Sequence, residues 1–195
     1  MQPASPTFTT TSGPSIEPIT LEELKTRLRI SGCDFDDEIN DMLKAARLQV
    51  EADTYRKLIT QTVVMYQEDF VSLLGPLDIR LAPIQSITHV KYYDRDDVLQ
   101  TFAAADYYAN LTSTPPEIRL KEAKQWPNTS LYRPNKVEVT MVAGYGATAA
   151  SVPRAAKLAM VEYCRAIWDG CEHNTDTYRR LVASLQWTGY HKVFA

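Results

Sequence analysis

Apolar positions change their spacing three times along the chain. Residues 1–19 show no period at all: Pro3, Pro6, Pro14 and Pro18 punctuate a run of Thr and Ser, with one charge at Glu17 and almost no large apolar side chain except Phe8 and Ile16. A stretch that buries so little cannot offset its own ordering entropy, so a flexible N-terminal arm is expected, open to ordering by an assembly partner. From Thr20 the spacing becomes helical. Thr20 with Glu23 has the form of a capping box, Leu21, Leu24 and Leu28 share one face, and Ser31-Gly32 ends the run. Asp34, Asp36, Asp37 and Glu38 then suit the first turn of a second helix, whose stripe is Ile39, Met42, Leu43, Ala46 and Val50. The two predict a helical hairpin over 20–57.

Between 58 and 146 the period drops to two. Short β-branched and aromatic runs at 60–66, 78–81, 86–93, 98–102, 107–111, 117–120 and 136–143 are separated by Pro, Asp and Asn, which predicts seven strands. Asp94-Arg95-Asp96-Asp97 has the composition of a hairpin tip, and the polar, proline-bearing stretch 121–135 reads as a break. An antiparallel meander is therefore expected rather than crossovers. After Gly144-Tyr145-Gly146, Val152-Pro153 restarts a helix with Ala155, Leu158, Ala159, Glu162, Tyr163, Ala166 and Ile167 at helical spacing. Thr175 or Asp176 opens a last one through Leu181, Val182 and Leu185. The fold class expected is α+β: one domain over 20–195, in which N- and C-terminal helices (20–57 and 152–195) form a bundle with the β meander inserted between them.

Composition narrows the function. With 45% hydrophobic and 23% charged residues the 195-residue chain is an ordinary globular one, and 21 Lys plus Arg against 24 Asp plus Glu give a net charge of -3. No global positive field draws it to nucleic acid or anionic lipid. No apolar stretch is long enough for a membrane span and no basic start precedes an apolar block, so neither anchor nor leader is expected, and synthesis in the cytoplasm follows. Cys33, Cys164 and Cys171 are too few for a disulfide framework and read as buried thiols. The acidic run at 34–38 lacks a calcium-loop pattern and reads as dipole complementation.

Motifs for chemistry are weak. His89, His173 and His191 have no spacing that pairs them with a nucleophile, and no elbow, phosphate loop or zinc signature occurs. Gly144-Tyr145-Gly146 imitates a dinucleotide-binding turn poorly, since Pro153 delays the helix; a small nucleotide-binding protein or enzyme built on it is the alternative reading. Tyr92-Tyr93 and Tyr107-Tyr108 sit on predicted strands, where neighbours face opposite ways, so one ring of each pair is expected in a core and the other outside, as a subunit contact or as an ordinary exposed aromatic.

The order of these signals resembles the head-tail connector, or adaptor, proteins of tailed bacteriophages and prophages, in the branch with a β insertion. The resemblance rests on Ile19-Thr20-Leu21-Glu22-Glu23-Leu24, the acidic Asp36-Asp37, Ala45-Ala46-Arg47 with Val50-Glu51, and Leu58-Ile59-Thr60-Gln61-Thr62. It continues through Leu81-Ala82-Pro83-Ile84, Lys91-Tyr92-Tyr93-Asp94, Trp126-Pro127, Val137-Glu138-Val139-Thr140 and Val142-Ala143-Gly144-Tyr145, covering 19 to about 168. The family usually closes with a Leu-rich segment and a Pro-Tyr-Arg type of motif; here Leu181 to Trp187 and Tyr190-His191 stand in that place without the proline.

The resemblance implies a structural virion protein with no reaction and no cofactor. It would form a ring of about twelve copies of itself below the portal protein, join head to tail, and carry the next neck or tail-completion protein. Double-stranded DNA would pass through its lumen without sequence-specific binding, and no membrane would be involved. Localisation in the virion neck, after assembly in the host cytoplasm, goes with this. A lumen of net negative or mixed charge is expected, because Lys and Arg contacts would retard the DNA. Leu181, Leu185, Trp187, Tyr190 and Phe194 form an apolar tail that either faces the portal or folds back on its own helices. Tyr92, Tyr93, Tyr107 and Tyr108 are the candidate inter-subunit contacts.

Overall fold

A computed structural model describes residues 6–70, 75–172 and 175–186. Their contacts separate into two compact units, one from the chain up to Gly13 with Gln61–Gly144, the other from Pro14–Thr60 with the chain from Tyr145 onward.

The helical unit contains α1 (Leu21–Leu28), α2 (Asp36–Thr54), α3 (Arg154–Trp168) and α4 (Asp176–Ala183). Thr20 caps α1 by accepting from the Glu23 amide at 3.1 Å. The Glu23 carboxylate pairs with Arg27 at 2.9 Å instead of completing the box. Arg29, at φ 59°, ends the helix ahead of Ser31-Gly32. Asp36, at the start of α2, pairs with Lys25 at 2.6 Å, which holds that ammonium above its ordinary value. Ile39, Met42, Leu43, Ala46 and Val50 are all buried, as their spacing predicts. They pack in one core with Leu24 from α1, Ala156, Ala159, Met160 and Cys164 from α3, and Tyr178 and Val182 from α4. Helices from both ends of the sequence therefore share one interior.

The buried face of α3 differs from the expected stripe. Ala156, Met160 and Cys164 are inside, whereas Ile167 is 40% exposed. Apolar side chains surround this helix almost completely, so their period does not select a face. Arg154, Glu162 and Arg165 lie on the side away from Ala156, Met160 and Cys164, as a helix turns its charges to water, and Ile167, seven residues beyond Met160 on the same face, is exposed in the last turn.

Two of the three cysteines also correct the expectation of burial. Cys33 lies in the turn after α1, and Cys171 falls beyond the end of α3 at Gly170 (φ +68°), so neither shares the helix face of Cys164; both are exposed. Burial pushes the Cys164 thiol up to about 12. A thiol-reactive chromogen at neutral pH is expected to titrate two thiols in the folded protein and the third only in denaturant; three fast thiols would contradict this packing.

The β unit contains β1 (Thr7–Ser12), β2 (Gln61–Gln67), β3 (Leu77–Asp78), β4 (Ile84–Tyr93), β5 (Leu99–Phe102), β6 (Tyr107–Asn110), β7 (Glu117–Leu120) and β8 (Val137–Ala143). Five form an antiparallel sheet in the order β1-β2-β8-β4-β5, and three form a second in the order β3-β7-β6. All seven expected strands are present, but not as the expected meander, because β8 enters between β2 and β4 and the strands divide over two sheets. The eighth overturns the flexible arm over part of its length: Thr7–Ser12 pairs with β2, placing Thr7 opposite Tyr66 and Phe8 opposite Met65. Its order comes from that ladder and from Phe8 packing on the β core, not from local propensity.

Val63, Met65, Val90, Val137, Val139 and Met141 from the larger sheet pack with Leu77, Tyr107 and Ile118 from the smaller one. The β4–β5 hairpin closes as its composition predicts. Asp94 Oδ1 accepts from the Asp96 and Val98 amides at 3.0 Å, Oδ2 accepts from Gln100 at 2.8 Å, and Asp97 takes φ 60°. The amide bond from Val98 first, then Gln100, hold the Asp94 carboxyl below its usual 3.8. A lowered folded value means that this contribution to stability is present above the ordinary carboxylate range and is lost as the pH falls through the folded value. Asp94→Ala should lower the thermal midpoint at neutral pH, and the gap from wild type should narrow as the pH falls below the ordinary carboxylate range; a gap that does not change with pH would exclude a charge-dependent role.

Candidate functional surfaces

The tyrosine pairs divide only in part as alternation predicts. Tyr107 is buried, stacked on Phe102 at 6.0 Å, and burial raises its phenol above the ordinary value. Its neighbour Tyr108 is 63% exposed, with Lys121 Nζ 5.0 Å over the ring. Tyr107 is thus part of the interior of its own unit, and Tyr108 is the ring left outside. Tyr92 and Tyr93 are both half-buried. Tyr92 lies edge-on to Phe70 at 6.3 Å, while Tyr93, on the other face of the sheet, is covered by the Arg133 guanidinium 3.5 Å from the ring centroid.

In the tail segment, Leu185 is 8% exposed and Leu181 is half-buried against the same helical core. Arg56 donates to the Leu185 carbonyl, and Gln186 Nε2 donates to the Asp53 carbonyl at 2.9 Å. The chain through Gln186 is therefore folded back onto α2. Trp187, Tyr190 and Phe194 lie outside the described residues, as do His173 and His191.

The polar stretch between β7 and β8 contains the feature that spacing could not reveal. Its base is fixed: the Ser130 amide donates to the Tyr93 carbonyl at 2.9 Å, the Tyr93 amide to the Lys136 carbonyl at 2.9 Å, and Thr129 Oγ1 to Asp69 at 2.8 Å. Arg133 also pairs with Asp97 of the hairpin tip at 3.2 Å. Between these ties Leu131 and Tyr132 project with 76% and 95% of their surface in solvent. Two bulky apolar side chains on a pinned loop have the form of an anchor for another protein. No periodicity marks them, because both sit among turn residues.

Nothing at the glycine turn suggests a nucleotide cradle. A Cβ at Gly146 would collide with the Ser151 side chain, so this glycine is required by its neighbour in the turn that leads to α3. The Tyr145 hydroxyl accepts from Arg56 at 3.1 Å. His89 is half-buried on β4 opposite Thr140. Among the described residues no group of three or more His, Cys, Asp or Glu could hold a metal ion, and no helix is long and apolar enough to cross a membrane. Of the acidic run at 34–38, Asp36, Asp37 and Glu38 form the first turn of α2, and Asp36 pairs with Lys25.

What the architecture defines is a class: an α+β fold, with four helices and two antiparallel sheets among the described residues, that is similar to chains from the neck of gene transfer agent particles. One such chain, from the neck of an empty particle computed with C6 symmetry, superposes with a TM-score of 0.79 at 16% identity, over 95% of this chain and 98% of its own. A chain from the virion of a native gene transfer agent particle gives 0.73 at 15% identity, covering 95% and 97%. A third, from the neck of a native particle computed with C12 symmetry, gives 0.70 at 16% identity, covering 94% and 98%. No family model matches the sequence, and no curated protein does. The likeness therefore lies in the fold.

Proposed function

We propose that this chain is a structural subunit of a virion neck: a head-tail connector that works by assembling and catalyses no reaction. The observation that carries the reading is the match over nearly the full length of both chains, 95% of this one and 98% of a neck protein, at a TM-score of 0.79. Both the helical unit and the β unit are therefore parts of one connector subunit. Particles computed with C6 and with C12 symmetry support a ring, and twelve copies satisfy both. Such a ring would sit below the portal protein, extend the DNA channel and present its far side to the next neck or tail-completion protein. Double-stranded DNA would pass through a lumen of net negative or mixed charge.

The tail beyond Gln186 is the portal-facing element in this reading. Leu181 and Leu185, which pack on the helical core, would anchor its base rather than make the contact.

Electron microscopy tests the assignment directly. The full-length chain, expressed with the portal protein of the same genome, should add a ring to the portal, seen in negative stain and in the mass of the complex. Alone it can remain monomeric, since weak neighbour contacts become effective only when a template holds the subunits side by side. A chain that stays off the portal and is missing from mature particles would refute the proposal.

A further inference from the structure

The larger sheet is open. Its outermost strands, β1 and β5, each have one side where, among the described residues, no ladder partner exists. Exposed edges are normally blunted by Lys, Pro or other charge. These are not: β1 reads Thr-Phe-Thr-Thr-Thr-Ser and β5 reads Leu-Gln-Thr-Phe, without a charge between them. A register shift near Thr10 is the one irregularity in β1.

Exposed apolar surface gathers beside one of these edges. Val98 and Leu99, at the start of β5, are 52% and 41% exposed. Leu99 pairs with Tyr93, whose carbonyl holds the base of the Leu131–Tyr132 loop, and Arg133 ties that loop to Asp97. Val98 and Leu99 thus stand at the start of a free, uncharged strand edge, and Arg133 ties the exposed Leu131–Tyr132 tip to the hairpin turn that leads into it.

We infer that β5, together with the Leu131–Tyr132 tip, is a docking edge for β1 of a second copy of this chain. This inference rests on the ring assembly proposed above. The two edges are opposite borders of one sheet, so joining them is a head-to-tail contact between different surfaces, the kind that closes a ring and leaves no edge over. Every neighbouring pair in the order β1-β2-β8-β4-β5 is antiparallel, which makes β1 and β5 run the same way. Copies related by rotation about the ring axis would then pair them in parallel, adding main-chain bonds while the apolar tip supplies the buried anchor.

Cysteine cross-linking of rings assembled on the portal tests this. In the full-length chain with the exposed thiols removed (Cys33→Ser and Cys171→Ser), Thr101→Cys is combined in turn with Thr7→Cys, Thr9→Cys and Thr11→Cys. Mild oxidation should give, for at least one pair, a ladder of covalent multimers on a non-reducing gel, and none for either cysteine alone. Rings intact by microscopy without any ladder would overturn the inference and leave the ring standing. Dimers from a β1 cysteine alone would overturn it in favour of a two-fold contact, and cross-links to the portal would overturn it in favour of that partner. If the unsubstituted chain forms no ring, both fall. The double variant Leu131→Asp with Tyr132→Asp should keep the monomer's circular dichroism and melting midpoint but reduce ring yield at least tenfold; wild-type yield would remove the tip from the contact.

Discussion

Replacing Trp126 by alanine is expected to cost the β unit about 3–5 kcal/mol, the range for removing a large buried aromatic. The indole is 3% exposed and stacks on Phe70 at 4.5 Å with an interplanar angle of 7°. Phe102 lies 5.1 Å away, and the indole Nε1 donates to the Gly75 carbonyl at 2.8 Å. The substitution therefore opens a cavity and takes away a hydrogen bond together. Trp126→Phe keeps most of the ring packing and loses only that bond, so its cost should be nearer 1–2 kcal/mol. Urea unfolding followed by Tyr and Trp fluorescence and by circular dichroism checks the order; equal stability of the alanine and phenylalanine variants would show that stacking contributes little.

The second large effect is expected at Glu51, a carboxylate only 4% exposed in α2. It accepts from the Leu58 amide at 3.0 Å, pairs with Lys57 at 3.0 Å and lies 3.7 Å from Arg47, which itself meets Glu17 at 2.9 Å. Glu51→Ala leaves a buried amide without its acceptor and takes the counter-charge from Lys57, while Arg47 keeps Glu17. Breaking such a group from one side costs about 3–5 kcal/mol. Glu51→Gln retains an acceptor for the Leu58 amide and should recover part of the loss. Calorimetric melting of the three proteins decides: an alanine variant within about 0.5 kcal/mol of wild type would assign this network to the surface class, where ion pairs are worth little.

Strands were legible in the amino-acid order wherever a turn residue cut a β-branched run. The seven inner runs and both helical hairpin partners follow from local spacing alone. β1 does not, because Thr7–Ser12 buries only part of Phe8 and draws its order from a ladder with β2, more than fifty residues away. The face of α3 was ambiguous for a different reason: apolar residues on nearly every side of the helix carry no phase. At the candidate surfaces, alternation placed Tyr107 and Tyr108 correctly on opposite sides, but it could not anticipate that Arg133, forty residues beyond Tyr93, would cover that ring. Leu131 and Tyr132 were invisible because an apolar residue in a turn belongs to no period.

The chain enters and leaves the β insertion at one spot. Gln61, its first strand residue, is paired with Ala143, its last. Just outside, the Thr60 amide bonds the Gly146 carbonyl at 3.0 Å and the Tyr145 amide bonds the Leu58 carbonyl at 3.2 Å. Adjacent entry and exit points let an inserted module be lengthened, shortened or replaced by recombination without moving the helices that receive it. An insertion joined in this way can differ in length and surface while the helical scaffold around it keeps its shape.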